Sequence, residues 1–272
     1  MRKSLLLLLI FSSLYVATAQ PTSKFSLEEK LNFALEVKQI DEFIERFNYQ
    51  ENTLLLQYVE ENYPGKMLDR VSLIQSLFNE QSNWNTSYRN AFVNQVTNPL
   101  RPIVIDFMED DWFAAVQCSV LFRGKVVTPT LILQIQQGPD FSSKWIIKSV
   151  RADFFRFPSK SNPEHFLNPI SHSTDFMGLR RAMNNKEHLP DYAFEDFEPD
   201  LLSIFMYELM NGNIEFLQVN SITYHFLQVN GWIFQVKKHL RNSRNSGWLI
   251  DQLRPADEPT KTTYRRNVLS LR

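Results

Sequence analysis

Asp106 stands between Ile105 and Phe107, and the pair Tyr224-His225 stands between Thr223 and Phe226. A carboxyl, phenol or imidazole held among apolar side chains loses hydration, and its pKa moves toward values useful for acid–base work. Strand neighbours alternate faces, so Asp106 equally suits the outer face of an edge strand. By the same alternation, Tyr224 and His225 cannot both line one pocket, and a partly buried structural histidine is the plainer reading of His225. Arg151 and Arg254 each follow a tryptophan by six residues, in Trp145-Ile146-Ile147-Lys148-Ser149-Val150-Arg151 and Trp248-Leu249-Ile250-Asp251-Gln252-Leu253-Arg254. Counting by two places each arginine on the face of its tryptophan. There it could touch an anion at a pocket rim or pair with a helix carboxylate; its recurrence favours the structural role. Glu109-Asp110-Asp111 lacks the ligand spacing and the glycine of a calcium loop and reads as a solvated strand connection. Trp112, which ends that turn, joins Asp106, Arg151, Tyr224, His225 and Arg254 as a pocket or surface candidate.

Other chemistries are excluded more firmly. The seven glycines fall at turns or isolated positions, and none builds a phosphate cradle of the G-x-G-x-x-G or Walker type. There is no G-x-S-x-G elbow and no H-E-x-x-H. His165 and His172 share a linker without an acid at ligand spacing. No catalytic residue, cofactor or metal is assigned.

The elements that must position these residues come from an internal repeat. Leu131–Gln137, a polar loop and Trp145–Arg151 recur as Trp232–Lys238, a longer loop and Trp248–Arg254. Trp145 and Trp248 should therefore hold equivalent core positions. Upstream, Ser26-Leu27-Glu28-Glu29 spells a capping box, and a helical stripe runs from Leu27 to Phe47. Helices are expected near 52–62 and 66–79, and the segment 84–96 is ambiguous, a helical turn followed by a strand being one reading. Strands are expected at 103–107, 112–122, 127–137 and 144–152, with Arg123-Gly124-Lys125 as a turn. A second set begins with helices near 174–184 and 199–210, the latter closed by Gly212. Strands at 214–219, 221–229, 232–239 and 248–253 follow. Phe216-Leu217-Gln218-Val219-Asn220 recurs as Phe226–Asn230, which suggests two neighbouring strands in similar environments. Asn230-Gly231 marks a tight hairpin, since both residues tolerate positive φ.

The fold class is thus α+β in two modules, each with N-terminal helices on a curved antiparallel sheet of about four strands. The divisions are a signal peptide over 1–19, a first module over 20–157, a linker over 158–172, a shorter second module over 173–256 and a disordered polar tail over 257–272. This order, with long strands and a Trp-led final strand, resembles the nuclear transport factor 2-like superfamily, the cone-shaped fold of ketosteroid isomerases and SnoaL-like cyclases. A cystatin-like half-sheet also fits the second module. The resemblance implies a concave sheet or a groove between modules that binds a small molecule or protein. It also allows an isomerase, dehydratase or hydrolase with Asp, His or Tyr inside the cone.

Met1-Arg2-Lys3-Ser4, an apolar run from Leu5 to Phe11 and Ala17-Thr18-Ala19 have the order of a cleavable signal peptide, so a periplasmic or secreted chain starting at Gln20 is expected. Gln20, not a cysteine that could carry a lipid, stands directly after the cleavage site, and no later stretch is long and apolar enough for a membrane span. Cleavage takes Lys+Arg from 29 to 27 against 30 Asp+Glu, so net charge goes from -1 to -3, which gives no reason to expect nucleic-acid binding. Seven acids crowd 186–208, and nine Lys/Arg crowd 236–272; these should face each other within the second module. Cys118 lies in a strand pattern and reads as a small core residue.

Overall fold

A computed structural model describes residues 34–50, 53–65, 67–140, 142–155, 177–194 and 197–271. The signal peptide, the capping box at Ser26–Glu29 and the linker over 158–172 lie outside the described residues.

Four helices lie wholly within the described residues ahead of the strands: α1 (Ile40–Asn48), α2 (Leu54–Asn62), α3 (Arg70–Ser76) and α4 (Thr86–Val96). Thr53, Asp69 and Asn85 start the last three, each side chain accepting from a first-turn amide that has no partner within the helix. The stripe from Leu27 to Phe47 is not one helix. Residues 36–39 leave the helical path, and Val37 instead forms a parallel bridge to Gly247. The buried Arg46 guanidinium satisfies the carbonyls freed there, donating to Leu35, to Ala34 at 3.2 Å and to Glu36 at 2.8 Å. The ambiguous segment 84–96 resolves into the cap Asn85 and the helix Thr86–Val96, with no strand. Phe92, Val93 and Val96 are spaced three and four apart and bury one face, so the period was helical.

The strands are β1 (Trp112–Phe122), β2 (Lys125–Val127), β3 (Thr130–Gln137), β4 (Ser143–Arg151), β5 (Ile214–Phe226), β6 (Trp232–His239) and β7 (Gly247–Pro255). They form one seven-stranded antiparallel sheet in the order β4-β3-β1-β5-β6-β7, with β2 on β1. Two separate four-stranded sheets are not seen. β1 and β5 pair over their whole lengths, from Trp112↔Phe226 to Phe122↔Ile214, and fuse the halves. Each half contributes a meander, β1-β3-β4 or β5-β6-β7.

The expected strand at 103–107 is irregular. Its backbone is paired by side-chain amides: Asn48 exchanges two hydrogen bonds with Ile105, and Gln228 exchanges two with Asp106. The strands expected at 214–219 and 221–229 are one strand. Phe216 is half-exposed and Phe226 fully buried, so the five-residue repeat does not mark similar environments. At the next turn only Gly231 has positive φ, +80°, with the Trp232 amide donating to Val229 at 3.1 Å. The tight pair of positive-φ residues is instead Arg123-Gly124, at 51° and 74°, which folds β2 back on β1.

The hairpin correspondence extends to an irregularity invisible in the pattern. Ile132↔Ser149 is followed by Leu133↔Ile147, and Gln235↔Gln252 by Val236↔Ile250. Lys148 and Asp251 are the extra residues of two bulges at the same place in the repeat. By this pairing Ile132 matches Gln235, so the first strands correspond with an offset of two from the sequence alignment. Each bulge shifts the count by one. Arg151 and Arg254 therefore lie on the face opposite their tryptophans.

The main core fills the face toward α1, α3 and α4, with Phe43, Phe47, Phe78, Phe92, Trp112, Phe226 and Phe234 all fully enclosed. Trp112, Phe226, Phe234 and Phe47 lie nearly parallel in succession, at centroid spacings of 5.4, 4.9 and 6.0 Å. Further along that face, α6 (Leu201–Met210) packs Phe205 against Cys118, Val120, Leu131 and Val150; Val116 and Leu133 border both clusters. α5 (Met177–Asn184) and a 3₁₀ turn (Lys186–Tyr192) precede it. Cys118 is buried, as its strand pattern implied.

The opposite face is covered by α7 (Glu258–Asn267), where a disordered tail was expected. Asp257 caps it and Pro259 sits in its first turn. Tyr264 and Leu269 pack with Phe113, Ile132, Leu227 and Ile233. Lys261 is buried, donating to the Val229 carbonyl at 3.1 Å and pairing with Glu258 at 3.2 Å. Its polar composition hid a helix whose apolar positions are few but correctly spaced. Among the described residues, no helix is long and apolar enough to cross a membrane.

Candidate functional site

The six candidates divide between the two faces. Trp112 and Tyr224 lie on the core face. Trp112 is fully buried and donates from Nε1 to the Phe107 carbonyl at 3.0 Å. Tyr224 packs its ring 4.8 Å from Trp248, and burial raises its phenol pKa. Asp106 is exposed, and its carboxylate accepts from the Met108 amide at 2.8 Å, a turn contact.

His225, Arg151 and Arg254 converge on α7. His225 Nδ1 lies 2.6 Å from the Tyr264 hydroxyl, which also accepts from Gln235 at 3.0 Å. Arg254 stacks its guanidinium 4.3 Å from the Tyr264 ring centroid, and Arg151 donates to the Val268 carbonyl at 3.2 Å. Burial first, then the charges of Lys237, Arg254 and Arg151, push the His225 pKa down to about 4. The imidazole is held neutral and shielded, with a hydroxyl already in place. Both arginines thus fasten the helix, the structural role that repetition favoured, but to a carbonyl and a ring instead of a carboxylate. The acidic turn works the same way: Asp111 binds Arg265 through both oxygens, at 2.9 and 2.6 Å, and Asp110 accepts from Gln134 at 2.6 Å.

A second polar cluster sits where the N-terminal segment crosses β7. Asp251, the bulge residue, accepts from Lys237 at 2.9 Å and from Asn79 at 3.2 Å, and lies 3.1 Å from His239 Nε2. Arg241 donates to Asn79 at 2.7 Å and to Asn245 at 3.0 Å. Each group answers another, and the cluster ties Asn79 and the 240–246 loop to the sheet edge.

Accessible space lies elsewhere. A groove runs along α6, between it and the strands of the first half. Its widest hollow, about 760 Å³, is lined by Phe122, Arg123, Phe154, Phe155, Tyr207 and Glu208, among others. Phe122, Phe154 and Phe155 form an aromatic trio with centroid spacings of 5.1, 5.5 and 4.5 Å. Arg123 lies 4.8 Å over Phe122, held there by the tight β1–β2 turn. Arg123 and Glu208 also line an adjoining hollow that reaches Glu215, and Phe155 borders a third with Arg266. Tyr207 is 67% exposed on the groove wall.

Sequence reasoning did not single out these groove residues. The available signals were Phe154-Phe155 directly after a strand and the unpaired-looking Tyr207 on a helix. What the groove offers is stacking surface flanked by Arg123, Arg266 and several carboxylates, Glu208 and Glu215 among them. Among the described residues no cluster of His, Cys, Asp and Glu could hold a metal ion. Comparison with protein-family models, with curated proteins and with solved structures finds no match.

Proposed function

We propose that this is an exported binding protein, not a catalyst, that takes a ligand or protein segment in the groove along α6. The observation that carries this reading is the open aromatic trio of Phe122, Phe154 and Phe155, flanked by Arg123, Tyr207 and Glu208. Binding sites are concave, mostly apolar and furnished with a few polar groups, and this groove has that make-up. It also lies between halves, since α6 comes from the second half of the chain and packs on strands of the first. Helices preceding long antiparallel strands support a relationship to the nuclear transport factor 2-like superfamily, and the N-terminal sequence supports export.

A small-molecule isomerase, dehydratase or hydrolase is the second reading, and His225 is the residue that favours it, with a pKa pushed down to about 4. Its packing weighs against it: the Tyr264 hydroxyl already occupies its ring nitrogen and α7 covers it.

A thermal-shift screen of aromatic acids, aromatic amines and short peptides tests the binding reading. A hit should raise the melting temperature of the parent protein and lose at least about tenfold in affinity, roughly 1.4 kcal/mol, in Tyr207→Ala and Arg123→Ala. Hits indifferent to both changes would move the site away from α6. N-terminal sequencing of the protein from the producing cell should begin at Gln20; an intact Met1 recovered in the cytoplasmic fraction would refute export.

A further inference from the structure

The outer edge of β5 is a second exposed feature, independent of the groove reading. β1 pairs with β5 along its full length, but β6 covers only Thr223–Phe226 of the other side. Among the described residues, no strand pairs with 214–222 on that side. Phe216, Leu217 and Val219 are 46%, 45% and 50% exposed there. Proteins blunt such edges with charged side chains, proline, bulges or a covering segment, and among the described residues this stretch has only Glu215 and two bulges. The β7 edge follows this rule, since Val37 and Phe78 bridge to it. Segment 214–222, Ile-Glu-Phe-Leu-Gln-Val-Asn-Ser-Ile, has no lysine, arginine or proline, and Glu215 is its one charge.

We infer that this edge pairs antiparallel with the same edge of a second copy, about a two-fold axis through Gln218. The segment is close to self-complementary about that residue. Ile214 of one copy falls across Ile222 of the other, and Leu217 across Val219. Glu215 falls across Ser221, so the two carboxylates stay apart; a two-fold through Glu215 would set them against each other. An isologous contact of this kind closes on itself and leaves no free edge to propagate.

The size of the surface places the contact in a class. Stable interfaces use about 20–30 residues a side. The strand supplies nine. Leu217 and Asn220 are also the extra residues of two bulges against β1, which bend the edge. A contact this small belongs to the weak or transient class, and about 10 μM is the Kd to be tested.

Sedimentation equilibrium of the intact protein from about 1 to 200 μM brackets that value. The parent chain should pass from monomer to dimer across the range. Leu217→Lys with Val219→Lys should stay monomeric throughout with a melting temperature changed by no more than a few degrees, because both side chains are about half-exposed. Gln218→Cys sits on the axis and should form an intermolecular disulfide under copper–phenanthroline. Phe216→Cys faces Asn220 and should cross-link far more slowly. Cys118 is 1% exposed and should add no background. A parent chain monomeric at the highest concentration overturns the inference. So does a dimer that survives the two lysines, or a Phe216→Cys that cross-links as fast as Gln218→Cys.

Discussion

The imidazole of His225 and the hydroxyl of Tyr264, 39 residues apart, meet at 2.6 Å beneath α7. The contact joins the sheet to the last helix, in a setting whose burial disfavours the charged ring. His225 has a folded pKa of about 4 against an ordinary 6.5. Between those values the unfolded chain binds a proton that the folded chain does not, so stability rises with pH through the window. The contribution is complete above pH about 6.5 and is lost progressively toward pH 4, on the order of 3 kcal/mol in all. Denaturant titrations at several pH values should show this slope in the parent protein and a much shallower one in His225→Gln. Equal slopes would place the imidazole in solvent.

α7 should behave as part of the sheet and not as a tail. Its removal, by ending the chain at Ala256, would expose Phe113, Ile132, Leu227 and Ile233 and strip His225 of its partner. Burying four such side chains contributes several kcal/mol, at about 1.5–3 kcal/mol each when burial is complete. The shortened protein should bind a hydrophobic dye and melt well below the parent. A truncation that leaves both properties unchanged would mean α7 is only loosely docked.

Gly247 tests how closely the N-terminal segment approaches β7. Its φ is +91°, and a Cβ there would lie 2.0 Å from the Val37 carbonyl oxygen. That carbonyl accepts from the Trp248 amide at 2.8 Å, so it cannot retreat without losing the bridge. Gly65 has nearly the same φ, +89°, with nothing within 4 Å. Gly65→Ala should cost only the backbone penalty, about 1–2 kcal/mol, while Gly247→Ala should cost on the order of 3 kcal/mol or more. Similar losses at the two sites would show that the contact gives way freely.

Regular hydrophobic spacing carried most of the strand boundaries: Trp112–Phe122 and Trp232–His239 were legible to the residue. What stayed hidden is physically distinct. Pairing between halves depends on β1 and β5 recognising each other, and no local period encodes that. The segment at 103–107 alternates like a strand, but Asn48 and Gln228 supply its partners through side chains. α7 buries only Lys261 and Tyr264 within its own span, too few for composition to flag. The groove along α6 arises from elements far apart in sequence, so its aromatic residues appear as isolated letters until the chain is folded.

Bulges explain why equal letters in the two hairpins do not mean equal burial. Trp145 and Trp248 precede their bulge residues, Lys148 and Asp251, by the same three positions and share the core face. Trp248 is 8% exposed, packed on Tyr224, and its strand edge is covered by the bridges from Val37 and Phe78. Trp145 lies on the outermost strand of the opposite flank and is 40% exposed, touching Trp112 edge-on at 5.2 Å. Equivalence of register therefore holds, while the expectation of equal core positions does not. Enclosure decides the cost of truncation, because a cavity forms only where neighbours cannot collapse or water cannot enter. Trp248→Ala should lose about 3–5 kcal/mol and Trp145→Ala about 1–2 kcal/mol by denaturant unfolding. A reversed order would require the β4 flank to be covered in solution, and burial of Trp145 would then appear as a blue-shifted fluorescence component that Trp145→Phe removes.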